Sequence, residues 1–442
     1  MSEKSVRVAI LSTGDEVVEG RTVDTNASHI ADRVASLGYD VVAQLTVGDF
    51  PDRLQWAWRR ALELADVVIS TGGLGPTADD LTNETVAAVA GVELVLDQEQ
   101  ADRIRNFFES LGRHMPENNL KQAELPVGCE VVPNNLGTAP GYRLVFPDGD
   151  RRPVGVVLPG VPREMKAMLE EQVIPWLASL GRDDVEVLSH TFQTFGMSES
   201  GLDEAVAGLI EPDEGRVAFR ASFPQIAVRI TVVGNPDEAS GRLDELAGRV
   251  RNAIGTAVYA EGDDATMEGT VGALLTERGL TLATAESCTG GLIGNRLTDV
   301  PGSSGYYRGG IVAYENKVKQ EQLGVSRTTL SMFGAVSEET ACEMALGARK
   351  ALGTDLAIAT TGIAGPGGGT EDKPVGTVAV ALAFGEGDGD VKSKMYQLWG
   401  TRDWVKTLTS QVALDWVRRQ LLGMDPLESN FGRRGGRRGA GG

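Results

Sequence analysis

The sequence predicts an α/β protein: two α/β domains with mainly parallel sheets, joined by a small α+β domain. Short, continuous apolar segments such as 66–71 (DVVIST) and 154–158 (VGVVL) alternate with helical segments, as in parallel sheets that are buried on both faces. The same alternation returns after residue 265. The residues between about 183 and 260 have a different pattern of strand-like and helix-like segments, which indicates a separate and smaller unit.

The first domain is predicted over residues 1–180. Apolar segments of strand length are found at 6–11, 41–47, 66–71 and 154–158. Apolar residues recur at helical spacing at 26–37, 54–64, 81–90 and 163–177. Gly38 is a typical terminator for the first of these helices. Strands and helices therefore alternate, as in a doubly wound sheet.

The second and third domains are predicted over residues 183–260 and 262–425. The second has strand patterns at 189–194, 216–219 and 226–233 and helical patterns at 198–209 and 237–254. In the third, strands are expected at 280–285, 310–314, 356–361 and 375–384, and helices at 267–278, up to 297, after Ser337 and at 403–422. Residues 426–442, with arginines among glycines, are predicted to form a disordered tail or a weak RNA-binding segment.

Composition and charge exclude several classes of protein. The 442 residues are 41% hydrophobic and 24% charged, which excludes a collagen-like, disulfide-stapled or wholly disordered chain. The net charge of −20 repels phosphate backbones and argues against nucleic acid as a partner. Because the sequence has neither an apolar segment of transmembrane length nor a secretion signal, we expect a cytoplasmic protein without a membrane partner.

Cysteine and histidine usage limits the chemistry. The three cysteines, Cys129, Cys288 and Cys342, are far apart and form no CxxC pair, so neither a disulfide framework nor a zinc site is expected. No histidine follows His190. Proton transfer in the third domain must therefore use lysine, tyrosine, carboxylate or hydroxyl groups.

A glycine-rich segment at 71–82 (TGGLGPTADDLT) follows a predicted buried strand and opens a helix. Gly72, Gly73 and Gly75 allow backbone N–H groups to approach an anion, and the helix N-terminus adds positive potential. Asp79 and Asp80 could cap the helix or hold a divalent ion. The lack of a Walker lysine excludes a P-loop NTPase, and a tight turn with acidic capping is the alternative.

Three further segments, 12–16, 24–26 and 158–165, lie at predicted strand ends that converge on one crevice. Together they resemble the molybdopterin-binding fold of MoaB, MogA and the MoeA core. The segments 121–123 and 135–141 narrow the resemblance to the N-terminal domain of the CinA family. This resemblance implies a metal-dependent ADP-ribose pyrophosphatase. It assigns a divalent metal ion to Asp80, and ADP-ribose binding to Asp24, Gly72, Gly73, Gly75, Thr77, Asp80 and Gly160.

A second strand-to-helix turn is predicted at 284–291 (TAESCTGG), where Ser287, Cys288 and Thr289 stand side by side. N–H groups of the helix N-terminus could stabilise an oxyanion there, so each of the three is a candidate nucleophile; simple N-capping is the alternative. Tyr314 ends a predicted strand, and Lys319 follows near the start of a helix. These two are the base candidates, and a Ser–Lys pair is a known variant of the serine nucleophile.

The segments AESCTGG, VAY-x4-K and TTGIAGPGGGTEDKPVGTV together resemble the C-terminal domain of the CinA family, also called PncC. The resemblance implies a nicotinamide-mononucleotide deamidase, an amidohydrolase that needs no cofactor. It also implies the catalytic roles: Ser287 as nucleophile, Tyr314 and Lys319 as the proton-transfer pair, and Thr361 as an oxyanion or nucleophile partner. Substrate binding is then expected at Thr289, Gly290, Gly362 and Gly365, and Cys288 becomes a packing residue.

The middle domain resembles the KH-like linker of full-length CinA proteins. True KH domains clamp RNA with a basic GXXG loop, but here Gly196-Met197-Ser198-Glu199 has an acidic residue in place of the second glycine. We therefore expect a structural or dimerisation role, and a homodimer, rather than nucleic-acid binding.

The resemblances together predict a two-enzyme protein of pyridine-nucleotide salvage, with nicotinamide mononucleotide and ADP-ribose as substrates. The alternatives are a non-enzymatic interaction protein linked to competence or DNA damage, and a molybdopterin-binding protein.

Overall fold

A computed structural model describes residues 6–147, 151–180, 186–385 and 390–428 of the chain. Within these ranges the expected fold class is confirmed: two α/β sheets and one smaller α+β sheet. The chain divides into two compact units, Met1–Leu188 with Val233–Gly241, and Ser189–Val232 with Arg242–Gly442. Of the predicted tail, residues 429–442 lie outside the described residues, whereas Pro426–Glu428 form a short 3-10 helix.

The first unit is built on a six-stranded sheet with the order β2-β1-β3-β8-β7-β6, and β4 pairs separately with β5. Its strands are β1 (Arg7–Thr13), β2 (Asp40–Val47), β3 (Val67–Thr71), β4 (Leu94–Leu96), β5 (Glu124–Pro126), β6 (Glu130–Val132), β7 (Gly141–Val145) and β8 (Val154–Leu158). Its helices are α1 (Asp15–Val18), α2 (Thr25–Ser36), α3 (Pro51–Leu64), α4 (Thr82–Ala90), α5 (Gln98–Ser110), α6 (Pro162–Met168) and α7 (Ile174–Leu180).

Helices cover both faces of this sheet. Along β1, Ile10 packs into a core with Ile30 of α2 and Met165 of α6, whereas its neighbour Leu11 packs into a core with Trp58 of α3. Alternate side chains of a strand point to opposite faces, so a strand in this position must be apolar throughout. Because β1, β3 and β8 are parallel, their carboxyl ends meet at one edge of the sheet.

The other edge of this sheet was not predictable from the apolar pattern. β7 pairs with β8, and β6 with β7, in antiparallel register. β6 has three residues and β7 has five, so neither is long enough for its pattern to stand out. The helix expected at 163–177 is also interrupted, because a π-helical turn at Leu169–Val173 separates α6 from α7.

The second unit contains most of a four-stranded sheet with the order β10-β11-β9-β12 and a five-stranded sheet with the order β14-β13-β15-β16-β17. The first of these uses β9 (Glu186–Thr194), α8 (Glu199–Val206), β10 (Arg216–Ser222), β11 (Gln225–Gly234), α9 (Pro236–Ile254) and β12 (Val258–Glu261). The second uses α10 (Met267–Arg278), β13 (Leu282–Glu286), α11 (Leu292–Thr298), β14 (Tyr307–Val312), α12 (Asn316–Leu323), α13 (Arg327–Met332), α14 (Glu338–Leu352), β15 (Leu356–Gly362), β16 (Thr377–Ala383), β17 (Val391–Gln397) and α15 (Arg402–Leu421).

The five-stranded sheet has a different core on each face. Large residues such as Ile358 and Val380 pack against α10, α11 and α15. The opposite face is lined by small residues such as Ala357 and Ala381, which allow α14 to pack closely. β13, β14 and β15 are parallel, so the loops that follow them meet at one edge. β16 and β17 are antiparallel, and the lysine-rich β17 is an edge strand that the sequence pattern did not reveal.

Candidate active sites

Ser287 lies directly after β13, in the turn that leads to α11. Its backbone N–H donates to the carbonyl oxygen of Thr360 at 2.9 Å, which ties the turn to the neighbouring strand β15. The side chain is buried. The Ser287 hydroxyl is thus held at the edge of the sheet where the loops after the parallel strands meet.

Lys319 of α12 lies beside Ser287, with its Nζ 3.0 Å from Ser287 Oγ. Nζ also donates to the carbonyl oxygens of Ala313 at 2.8 Å and Tyr314 at 3.2 Å. The side chain is 1% exposed, and burial lowers the pKa of Lys319 because desolvation disfavours the charged ammonium. A neutral amine in this position keeps both N–H bonds to the carbonyl oxygens and turns its lone pair to the Ser287 hydroxyl. This is the arrangement of a general base.

The other two nucleophile candidates have different surroundings. Burial raises the pKa of the Cys288 thiol to about 12, so the thiolate is scarce near neutral pH, and the side chain packs in the apolar core. Thr289 is fully buried, and its hydroxyl forms a 2.8 Å hydrogen bond with the Thr360 hydroxyl. The Thr289 side chain therefore joins the turn to β15. Of these three side chains, Ser287 is the one with a base at hydrogen-bond distance within the described chain.

Glu286, the last residue of β13, is a site residue that sequence reasoning missed. Its fully buried carboxylate accepts hydrogen bonds of 2.9, 3.1 and 2.8 Å from three N–H groups at the start of α11, those of Gly291, Ile293 and Gly294. The expectation that this helix N-terminus serves an oxyanion is therefore wrong, because a carboxylate already occupies it. Within the described chain the amides of Cys288 and Thr289 donate to no backbone carbonyl oxygen, and both lie beside the Cys288 sulfur.

Tyr314 does not end a strand as expected, since β14 stops at Val312. Its side chain is 61% exposed, and its hydroxyl accepts a 2.9 Å hydrogen bond from Arg402. Arg402 also donates to the carbonyl oxygen of Gly365 at 2.7 Å, so one guanidinium joins two loops that the sequence motifs identified. Through its side chain Tyr314 bonds to Arg402, and through its backbone carbonyl to Lys319.

Two cations of α15 lie near the loops of the Ser287 site: Arg402 bonds to Gly365 and Tyr314, and Lys406 lies near Gly290. Arg402 and Lys406 are one helical turn apart and so share a face. Lys406 Nζ is 4.0 Å from the position that a Cβ would take at Gly290. The N-terminus of α15 adds positive potential at the same place. Arg402 and Lys406 were not predicted from the sequence, and Asp403 lies in the same first turn of α15.

Thr361 lies at the end of β15, and its hydroxyl donates to the carbonyl oxygen of Ala335 at 2.7 Å. Ala335 belongs to the loop between α13 and α14. Lys373 holds the same loop, because its Nζ donates to the carbonyl oxygens of Phe333 and Val336, both at 2.7 Å. In this structure Thr361 therefore positions a loop, and its hydroxyl bonds to that loop rather than to Ser287.

Backbone geometry explains the glycines of the C-terminal motifs. Gly290 and Gly365 have φ angles of 63° and 86°, in the left-handed region that favours glycine. A side chain at Gly362 would come within 2.6 Å of Val378. The three glycines thus shape the loops around Ser287, and whether they also contact substrate stays a prediction.

The first unit has a crevice of about 580 Å³ at the carboxyl edge of its sheet. Most of the residues expected to bind ADP-ribose line it: Gly72, Gly73, Gly75, Thr77, Asp80 and Gly160. Asp24 is not in this lining; its carboxylate accepts a 2.8 Å hydrogen bond from the N–H of Ala27 and caps α2. The structure thus brings together all but one of the expected residues.

The turn after β3 requires glycine. Gly72 and Gly73 have φ angles of 106° and 66°. A side chain at Gly72 would come within 2.5 Å of the Thr13 carbonyl oxygen, and one at Gly73 would collide with the Thr82 hydroxyl. Two polar atoms of the crevice lining, Thr13 Oγ1 and Gln122 Oε1, are buried without a hydrogen-bond partner in the described chain. Such groups are available to a ligand.

Asp80 closes the glycine-rich loop. Its carboxylate accepts hydrogen bonds from the N–H of Thr77 at 2.8 Å and from the Thr77 hydroxyl at 2.6 Å. The expectation that it could cap the following helix is wrong, because α4 begins at Thr82 with Leu81 as its N-cap.

Acidic side chains line the same crevice: Asp15, Glu16, Asp49, Asp79, Asp80 and Glu164. Burial raises the pKa of Asp49, and the neighbouring carboxylates of Asp15, Glu16 and Asp80 add to this rise. Oxygen donors of this kind suit a hard divalent cation. In the described parts of the chain no three His, Cys, Asp or Glu side chains are gathered to hold a metal ion. A divalent ion bound here would therefore take further ligands from water or from a bound molecule.

The loop at 196–199 of the four-stranded unit caps a helix. The Ser198 hydroxyl accepts a 3.1 Å hydrogen bond from the N–H of Gly201 at the start of α8. Elsewhere in the chain, none of the described helices is both long and apolar enough to cross a bilayer.

Three family models match the chain: a probable molybdopterin binding domain over residues 9–179, the damage-inducible protein CinA KH domain over 189–260, and the CinA C-terminal domain over 264–421. A CinA-like protein of Geotalea uraniireducens is 43% identical over 425 residues, which cover 96% of this chain and 99% of that protein. The chain belongs to the CinA family. The expected family and its three kinds of domain are confirmed.

Two further CinA proteins are similar in sequence to this chain. A CinA-like protein of Geobacter sulfurreducens is 43% identical over 421 residues, 94% of this chain and 100% of its own length. The crystal structure of CinA from Thermoplasma acidophilum, described as of unknown function, is 37% identical with a TM-score of 0.35. It covers 38% of this chain and 98% of its own.

Proposed function

We propose that this CinA chain hydrolyses the carboxamide of nicotinamide mononucleotide to nicotinate mononucleotide and ammonia. The observation that carries the proposal is the 3.0 Å contact between Ser287 Oγ and the buried Lys319 Nζ. Since no histidine follows His190, a lysine with a lowered pKa is the base available to this serine. The resemblance of the C-terminal motifs to the amidase family supports the choice of substrate.

The geometry suggests how the reaction proceeds. Ser287 Oγ attacks the amide carbon while Lys319 Nζ takes the hydroxyl proton, and the negative charge develops on the former carbonyl oxygen. Lys319 then returns the proton to the amide nitrogen, the C–N bond breaks, and ammonia leaves. A nicotinate ester of Ser287 remains. Water attacks this ester, Lys319 takes a proton from the water and returns it to Ser287 Oγ, and the product acid is released.

The proposal assigns the phosphate of the substrate to the cations of α15. Among the described residues Arg402 donates to Gly365 and Tyr314, which uses two of its five N–H groups, and the other N–H groups could bind an anion. Lys406 adds a second positive charge near Gly290. These interactions concern a part of the substrate that does not react, so they contribute to binding rather than to the chemical step. No metal ion enters this scheme.

The test is ammonia release from nicotinamide mononucleotide by the full chain, with nicotinate mononucleotide formed in equal amount. Nicotinamide riboside, which lacks the phosphate, is expected to react with a higher KM. An excess of a chelator is expected to leave the rate unchanged. The absence of ammonia release from nicotinamide mononucleotide would overturn the proposal.

A second activity, ADP-ribose pyrophosphatase, is proposed for the first unit. The observation that favours it is that one crevice is lined both by carboxylates and by the glycine turn at Gly72 and Gly73, whose backbone is suited to bind phosphate. Asp80 and the phosphate oxygens would hold a divalent ion, which when bound polarises the diphosphate. The turn amides would orient the diphosphate, and Thr13 Oγ1 and Gln122 Oε1, which have no hydrogen-bond partner in the described chain, could bind the ligand.

Formation of AMP and ribose 5-phosphate from ADP-ribose in the presence of Mg²⁺ tests this second activity. A chelator is expected to stop this reaction while ammonia release from nicotinamide mononucleotide continues. Turnover of ADP-ribose that survives metal removal, or no turnover with any divalent ion, would contradict it.

A further inference from the structure

The hairpin of β10 and β11 contacts the first turn of α15. The Phe223 ring, at the tip of the hairpin, stacks on the Trp404 ring with the centroids 4.1 Å apart and the planes at 24°. Both side chains remain partly exposed, at 41% and 45%. Stacked aromatic rings attract each other in addition to the apolar area that they bury. The contact therefore joins the tip of the hairpin to the first turn of α15.

The four-stranded unit holds the rest of α15 as well. Gln411 of α15 donates to the Gln225 side chain at 3.4 Å, and Tyr259 donates to the same oxygen at 2.8 Å. Near the other end of the helix, the Arg418 guanidinium donates to the carbonyl oxygens of Thr256 and Val258 at 3.1 and 3.3 Å. The contacts with this unit thus run along the helix from its first turn to its last.

Two side chains of the four-stranded unit even belong to the core of the five-stranded sheet. Phe195 and Tyr259 pack into the cluster that contains Trp416 and Val412 of α15. The two sheets therefore share one apolar core, and α15 lies within it.

The first turn of α15 is also the part that reaches the candidate amidase site. Arg402 bonds to Tyr314 and Gly365 there, and Lys406 lies near Gly290. Trp404 packs against the turn that leads into the helix, because a side chain at Gly400 would come within 2.9 Å of it. A ring stacked on Trp404 thus fixes the entry to α15 and, through it, the position of the two cations.

We infer that the KH-like unit positions the phosphate-binding end of the amidase site, and that Phe223 is the positioning residue that does so. The inference rests on the proposed amidase function. Phe223 touches neither Ser287 nor Lys319 among the described contacts, so its effect is on substrate binding and not on the chemical step. A unit whose fold is typical of RNA binding serves here as part of an enzyme.

The experiment measures kcat and KM of the full-length Phe223→Ala variant with nicotinamide mononucleotide and with nicotinamide riboside. We expect KM for the mononucleotide to rise about three- to tenfold while kcat stays within twofold. This pattern is typical of a lost interaction that binds the substrate and the transition state equally. KM for the riboside is expected to stay unchanged, because it has no phosphate for the displaced cations to bind. A merely structural role would affect both substrates alike.

Matched variants keep the test decisive. Phe223→Tyr retains the stacked ring and is expected to behave as the wild type. Phe223→Leu keeps apolar volume without the ring. If Phe223→Ala does not fold, Phe223→Leu takes its place and is expected to show the same rise in KM for the mononucleotide. Trp56→Ala removes a similarly exposed ring from α3 of the first unit and is expected to change neither constant. The double variant of Phe223 and Trp404 is expected to be no worse than the poorer single variant, since both changes remove one contact.

Two outcomes would overturn the inference. One is a Phe223→Ala variant with both constants unchanged, and the other is one that loses kcat with both substrates equally. Calorimetric binding of inorganic phosphate gives a readout without turnover, in which Phe223→Ala is expected to bind three- to tenfold more weakly. If the wild type releases no ammonia, the proposed function fails, and this phosphate measurement still decides the positioning role. A wild type that also binds no phosphate refutes both.

Discussion

Replacement of Lys319 by arginine separates a base from a simple positive charge. Arginine keeps the charge beside Ser287, but its pKa exceeds about 12, so it cannot accept a proton near neutral pH. If Lys319 acts as the general base, Lys319→Arg must be nearly as inactive as the neutral Lys319→Met. If the residue acts only as an electrostatic contact, the arginine variant keeps a substantial part of the rate.

The expected size of the effect follows from the pKa. Removal of a general base typically lowers the rate by about 10²–10⁴-fold. An ordinary lysine, with a pKa of about 10.4, would be neutral in only about 0.4% of molecules at pH 8. Burial lowers the pKa of Lys319, so the neutral fraction at a given pH is larger than that. Activity of the wild type should therefore rise with pH and level off above this lowered pKa.

The assay is kcat for ammonia release from pH 6 to 10, for the wild type and both variants. Lys317→Arg is the matched control, because Lys317 belongs to the same helix α12 but is 70% exposed. That control is expected to keep the wild-type profile. Appreciable turnover by Lys319→Arg, with a pH profile like that of the wild type, would refute the base role. A wild-type rate that does not change between pH 6 and 9 would also count against it.

Three further results are expected. Cys288→Ala should stay within a few-fold of the wild-type kcat, since burial keeps the thiol protonated; a dead variant would move the nucleophile to this residue. Glu286→Ala should lower the free energy of unfolding by about 3–5 kcal/mol in urea titrations, because three amides at the start of α11 lose their acceptor. The stability of Glu286→Gln should lie between those of Glu286→Ala and the wild type. An unchanged urea midpoint for Glu286→Ala would contradict the capping role. Asp80→Asn should stop Mg²⁺-dependent release of AMP from ADP-ribose without slowing ammonia release, and an equal loss of both activities would argue against two independent sites.

The parts that sequence reasoning predicted are those with a strong local pattern. The continuous apolar strands β3 and β8 and the helix after Ser337 are placed as expected, because burial on both faces and a serine N-cap leave clear signals. Ser287 and Lys319 were identified from the C-terminal motifs, and the fold brings them to 3.0 Å. Their pairing follows from parallel strands whose ends meet at one edge.

The parts that were missed depend on distant contacts. Arg402 lies far along the chain from Tyr314, and an arginine at a helix start has no local signature that marks it as a site residue. Glu286 differs, because a glutamate at a strand end before a turn of small residues and a helix is a recognisable capping signal that was overlooked. Thr289 looked like a free hydroxyl, and only the packing against β15 shows that it pairs with Thr360.

The most direct test of the account is the rate of ammonia release from nicotinamide mononucleotide by Ser287→Ala beside the wild-type chain, with the fold of both checked by thermal unfolding. The account predicts that the variant loses at least about 10³-fold in kcat, because covalent catalysis at this hydroxyl is removed, while its unfolding midpoint stays close to that of the wild type. A folded variant that still releases ammonia at a rate near that of the wild type would contradict the assignment of Ser287 as the nucleophile.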